Sequence, residues 1–110
     1  MPFISTLEFL DRLGKIGTIK WQLFDGCIRG IEVGSNQEHC PITAVVWSLT
    51  SKIFRPDMAI TAGKGVFNDT RIYRIIGAAD DCPGDEAGAL LRAQLLRVLG
   101  LEETRESLIL

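Results

Sequence analysis

Between residues 5 and 13 the apolar positions Leu7, Phe9, Leu10 and Leu13 give one stretch an apolar side, and Ser5 with Glu8 three residues on reads as a capping box. The pattern predicts a first helix that ends between Gly14 and Gly17. From Thr18 the period shortens to two. Ile19, Trp21 and Leu23 alternate with Lys20 and Gln22, the pattern of a half-buried strand. Phe24-Asp25-Gly26 then reads as a three-residue hairpin loop with Gly26 in the left-handed position, pairing Leu23 with Cys27. This register gathers Ile19, Trp21, Leu23, Cys27, Arg29, Ile31 and Val33 on one face and sets Trp21 opposite Arg29, whereas a two-residue Asp-Gly turn would scatter the apolar residues over both faces.

After a loop at Gly34-Ser35-Asn36-Gln37, Pro41 is the favoured first residue of a second helix with Cys40 at or near its N-cap. Ile42, Val45, Val46, Leu49 and Ile53 follow at helical spacing as far as Arg55-Pro56. Thr43, Trp47, Thr50 and Phe54 add a second stripe, so this helix is apolar over more than one face and is either central or shared with a partner. Asp57 can cap a short helix that Gly63-Lys64-Gly65 breaks. Asn68 or Asp69 can cap the next, with Ile72, Ile75, Ile76 and Ala79 inward. Cys82-Pro83-Gly84-Asp85 fits a type II turn. The last clear helix uses Ala87, Leu90, Leu91, Leu95 and Val98 and stops at Gly100, and residues 101–110 extend as one more short helix or fray. The expected fold is α+β: an N-terminal helix, an antiparallel β-hairpin with room for a short third strand, and three or four C-terminal helices packed on it.

Residues 1–110 read as a single globular domain, since 46% apolar and 24% charged residues are ordinary for a folded chain. No apolar run approaches the roughly 20 residues of a membrane helix. The N-terminus lacks the basic start and continuous apolar stretch of a signal peptide. Three cysteines without framework spacing fit reduced thiols, so a cytoplasmic address is expected.

Net charge is −2, unevenly spread. Residues 41–78 carry five bases against two acids, while residues 79–110 carry three bases against seven acids. A helix, turn and helix over residues 57–79 has the rough size of a DNA reader, and Arg55, Lys64, Arg71 and Arg74 would be its nucleic-acid contacts. Asp69 at the start of the second helix opposes this, because it repels phosphate. Gly63-Lys64-Gly65 lacks the length and the Ser or Thr of a Walker loop and reads as a helix-breaking turn.

His39, the single histidine, stands beside Cys40, but adjacent side chains diverge and do not make a nucleophile and base. His39 is expected as an exposed loop residue. Cys27, His39, Cys40 and Cys82 lack the close ligand pairs of a zinc site, so no metal and no cofactor are expected. Asp80, Asp81, Asp85 and Glu86 are the densest carboxylates; capping explains Asp85 and Glu86, while Asp80 and Asp81 sit at the unfavourable negative end of a helix. The aromatic stripe of Trp47 and Phe54 and the tail Leu108, Ile109 and Leu110 mark an interaction surface. A small non-catalytic protein-interaction or accessory protein, able to self-associate as a homodimer, is the expected function. The alternatives are a nucleic-acid-associated regulator using residues 55–74 and a small metal-dependent enzyme around His39, Cys40 and the acidic turn 80–86.

Overall fold

A computed structural model describes residues 3–101. Its order is helix α1 (Thr6–Gly14), strands β1 (Ile19–Phe24), β2 (Cys27–Glu32) and β3 (Glu38–His39), then helices α2 (Pro41–Thr50), α3 (Ala59–Gly63), α4 (Asp69–Ala79) and α5 (Glu86–Val98), with a 3₁₀ turn over Pro56–Met58 before α3. This is the expected α+β architecture, with the third strand present and four helices after the sheet.

α1 begins at Ser5, whose hydroxyl accepts from the Glu8 amide at 3.1 Å, but the expected box is only half made, because the Glu8 carboxylate accepts from Arg12 at 3.3 Å instead of from the Ser5 amide. Phe9, Leu10 and Leu13 are buried, but Leu7 is 76% exposed. At 100° per residue Leu7 stands more than a quarter-turn away from the centre of the other three, so the expected apolar side is narrower by one residue.

The hairpin has a different register from the expected one. Phe24 pairs with Cys27 and Leu23 with Ile28 around a two-residue turn, with Asp25 at φ 50° and Gly26 at φ 82°. Two successive positive φ values are the mark of a type I′ turn, whose twist matches that of the strands it joins; Asp tolerates the left-handed region and Gly favours it. Trp21 therefore faces Gly30, and Arg29 pairs with Gln22 on the other face. Grouping all apolar residues on one face misled the register, because the β2 side of the outer face is partly covered as well, while Lys20, Gln22 and Phe24 of β1 stay exposed there. Ile19, Ile28 and Gly30 lie buried on one side, while Cys27, Arg29 and Ile31 are half-buried on the other. The sheet order is β1-β2-β3, antiparallel throughout, with Gly30 opposite His39 and Ile31 opposite Glu38.

α2 is the centre of the molecule and lies against α1, α3, α4, β2 and β3. Its residues Pro41 to Val46 are all buried. Cys40 is the N-cap of a reciprocal box: its sulfur accepts from the Thr43 amide at 3.5 Å, and the Thr43 hydroxyl accepts from the Cys40 amide at 2.9 Å. The helix stops at Thr50, five residues before the expected end. Ser51 turns left-handed at φ 64°, the Thr50 hydroxyl donates to the Val46 carbonyl, and the Lys52 amide donates back to the Thr50 oxygen. Short hydroxyl side chains competing for the backbone end the helix here. Ile53 consequently leaves the apolar stripe and is 58% exposed.

Asn68 and Asp85 cap α4 and α5, each accepting from the amide three residues on at 2.8 Å. α4 closes with Asp81 left-handed at φ 59° and the Cys82 amide on the Gly77 carbonyl, a Schellman ending. The expected type II turn is a tighter one: the Asp85 amide donates to the Pro83 carbonyl around Gly84 at φ 77°, a γ-turn. An added Cβ at Gly88 would lie 2.1 Å from the Pro83 carbonyl oxygen and one at Gly77 2.7 Å from that of Cys82, so both glycines admit this corner against their helices. Phe9 meets Phe67 edge to face at 5.4 Å and pins α1 to the segment leading into α4. The buried apolar residues form one cluster shared by α1, the sheet and all four later helices.

Candidate functional site

Arg29 and Glu38 at the rim of the sheet and Asp80 at the end of α4 line one cleft. Arg29, on the outer face of β2, reaches Asp80 at 3.0 Å, just past the last residue of α4. Both remain part-exposed, and they stand beside a cleft of about 740 Å³ between the β3 edge and residues 55–60. Glu38 and the amide side-chain residues Asn36 and Gln37 line one wall. Arg55 and Asp57, an exposed pair at 3.4 Å, line the other, with Ile60 and Ile76 supplying apolar surface. A small recess of about 30 Å³ continues inward toward Cys40, Pro41 and Ala79. The cleft thus offers two guanidinium groups, three carboxylates, two amides and an apolar strip. That mixture suits a ligand carrying backbone-like donors and acceptors together with both charge signs.

The acidic turn is explained by arginines. Arg29 neutralises Asp80, Arg92 reaches Asp81 at 3.2 Å, and Arg74 reaches Asp85 at 2.6 Å. Arg92 is buried and does more: it donates to the Ala78 carbonyl at 3.0 Å and to the Gly26 carbonyl at 2.8 Å, joining α5, the end of α4 and the hairpin turn. Two cations at the negative end of α4 offset the two acids placed there. Asp85 has its carboxyl held below the ordinary range by the hydrogen bond from Arg74 and by the Gly88 amide. Among the described residues no three His, Cys, Asp or Glu side chains come close enough to hold a metal ion.

His39 is not the exposed loop residue expected. It is 0% exposed, sits on β3 beside Gly30, and stacks on Trp47 with ring centroids 5.6 Å apart and planes at 30°. Its Nε2 lies 3.7 Å from a Glu32 carboxylate oxygen, beyond hydrogen-bond distance, and neither ring nitrogen has a hydrogen-bond partner among the described residues. Burial lowers its pKa, with the nearby Glu32 carboxylate opposing the shift. Neighbouring Cys40 points elsewhere, into the α2 cap. Cys27, Cys40 and Cys82 are free thiols, and that of Cys27 lies 3.7 Å from the Asp80 carbonyl.

The residues expected at an interaction surface are placed as follows. Trp47 and Phe54 are partly buried and pack on the core. Leu108, Ile109 and Leu110 lie outside the described residues. Of the bases expected to contact nucleic acid, Arg55 belongs to the cleft and pairs with Asp57. Lys64 is exposed after α3. Arg71 donates to the Ile4 carbonyl and Arg74 to Asp85; these two line a separate groove with Thr6, Asn68 and Thr70. Sequence reasoning missed Arg29, Glu38, Glu32 and Arg92. One signal was present: two acids at a helix C-terminus demand nearby cations, and Arg92 stands directly beside Leu91 within the apolar pattern of α5.

No helix among the described residues is long and apolar enough to cross a membrane. Compared with family models, with curated proteins and with solved structures, the chain finds no match.

Proposed function

We propose that the protein is a non-catalytic binding module that recognises an extended segment of another protein in the cleft between β3 and residues 55–60. One observation carries this reading: the cleft presents exposed groups of both charge signs along an apolar strip, next to an Arg29–Asp80 pair whose two partners remain open to solvent. Side chains suited to chemistry are meanwhile engaged elsewhere. His39 is sealed in the core, Cys40 caps α2, and Asp80, Asp81 and Asp85 are each held by an arginine. Three free thiols agree with a reducing, cytoplasmic setting. Self-association through Trp47 and Phe54 has less surface to draw on, since most of α2 is buried in this chain's own core.

The test is peptide-display selection on the immobilised full chain, followed by titration of the selected peptides against Glu38→Lys and Arg55→Glu. Both positions are exposed, so the variants should melt like the parent. Binding weakened about ten-fold or more by either reversal supports the cleft. Selected peptides indifferent to both reversals would sink it. A salt-dependent gel shift with short duplex DNA, lost in Arg71→Ala and Arg74→Ala, would transfer the function to the groove at the start of α4.

A further inference from the structure

We propose that His39 is an acid-responsive pin: taking up a proton on its buried ring releases β3 and the start of α2, and with them one wall of the cleft. The step from β3 to ligand binding rests on the cleft being the recognition surface. The release itself does not.

The geometry singles out which nitrogen matters. Nε2 points toward Glu32 at 3.7 Å, so the neutral ring is placed to carry its one proton there, directed at the carboxylate. A second proton must then go to Nδ1. That atom is buried and has no acceptor. Imidazolium in this position therefore holds an unpaired N–H in the core, whose desolvation is relieved only if the ring reaches water. Among the described residues the surroundings offer one charge to counter it. On β2 the facing group is Glu32; α2 contributes Trp47 and contains no charged residue; β1 presents Ile19, Trp21 and Leu23 on this face. Burial outweighs the Glu32 contribution, which is the direction the lowered pKa records.

The element that would move is slight. β3 is two residues long, and its other member, Glu38, lines the cleft. Cys40, next in sequence, carries the cap of α2. Withdrawal of the His39 ring thus acts on a cleft wall on one side and on a helix start on the other.

His39 is the single histidine of the chain, so its ring proton resonance is unambiguous. The experiment follows that resonance and the hydrogen-exchange protection of residues 38–40 in the ligand-free full chain from pH 8 to pH 4.5. The ring should titrate below the ordinary 6.5. Protection at 38–40 should fall about ten-fold per pH unit once the medium is more acidic than 6.5, since opening takes up one proton. His39→Gln cannot take up that proton and should show flat protection. If that variant fails to fold, Glu32→Gln replaces it, and there the ring should titrate lower still. A ring titrating at or above 6.5, protection that ignores pH in the parent chain, or the same pH response in His39→Gln would each overturn the proposal. No ligand enters these measurements, so their failure and the failure of the cleft reading are separate results.

Discussion

Trp21 stands directly across the hairpin from Gly30, and its indole occupies the space that a side chain at position 30 would need. A Cβ there would come within 2.9 Å of Trp21 Cε3 and 2.4 Å of Ile19 Cγ2. The glycine is thus part of the packing of the buried sheet face, flanked by Trp21 on β1 and His39 on β3. Gly30→Ala should destabilise the fold by about 2 kcal/mol through overpacking. Urea denaturation followed by circular dichroism measures it, and a loss under about 0.5 kcal/mol would mean the indole moves aside freely.

The hairpin turn gives a second expectation. Gly26 holds φ 82°, and a Cβ on it would sit 3.0 Å from an Asp81 carboxylate oxygen. Gly26→Ala combines a disfavoured backbone region with a contact that Arg92 helps to fix, and should cost about 1 to 2 kcal/mol. Asp25→Gly, at the other positive φ, should be close to neutral. A pair of melting curves separates the two, and equal effects would argue against the type I′ geometry.

Arg92 supports three segments at once, so Arg92→Met keeps much of the volume while leaving the Ala78 and Gly26 carbonyls without their donor. The expected loss is roughly 3 kcal/mol, most of it from unsatisfied buried groups and less from Asp81, which is exposed. Thermal melts give the number. An Arg92→Lys variant should recover only a fraction, because one ammonium cannot reach both carbonyls and the carboxylate in the geometry a guanidinium spans.

Stability should depend on pH in two separate windows. His39 has its folded pKa below the unfolded value, so the unfolded chain binds the proton first. Stability is then full above about 6.5 and falls as the medium acidifies, by up to about 1.4 kcal/mol per pH unit. Asp85 has its carboxyl lowered by Arg74, so its contribution is present above the ordinary carboxylate range and is lost at more acidic pH. Urea midpoints from pH 8 to pH 3 resolve the two, and His39→Gln should remove the upper window alone.

Much of the fold was legible because local chemistry decided it. The Ser5 and Asn68 caps and Cys40 ahead of Pro41 follow from side chains bonding within three residues, and the stop at Gly100 from a backbone at φ 70° that glycine favours. The register of the hairpin was not, because it turns on whether Trp21 can cross a residue without a side chain, a fact of packing between strands. The end of α2 was missed for a related reason: apolar spacing continued through Ile53, while Thr50 and Ser51 had already captured the backbone. At the cleft, Arg29 and Asp80 are 51 positions apart and carry no local signal of each other. His39 was misplaced because a polar residue before a Pro-led helix reads as loop, and only β3 pairing puts its ring inside.

The corner where α4 ends joins two parts of the molecule that look independent. Asp80 is gripped from the sheet by Arg29, and Asp81 from α5 by Arg92, so a single short acidic segment is shared between the cleft and the helical layer. A ligand carboxylate that drew Arg29 away from Asp80 would leave the negative end of α4 with one cation where it had two. The charge deficit would fall on Arg92, and through Arg92 on the hairpin turn it also holds. If the cleft is the recognition surface, its occupancy should be felt at the hairpin turn, and residues there that never touch the ligand should alter how tightly it is held.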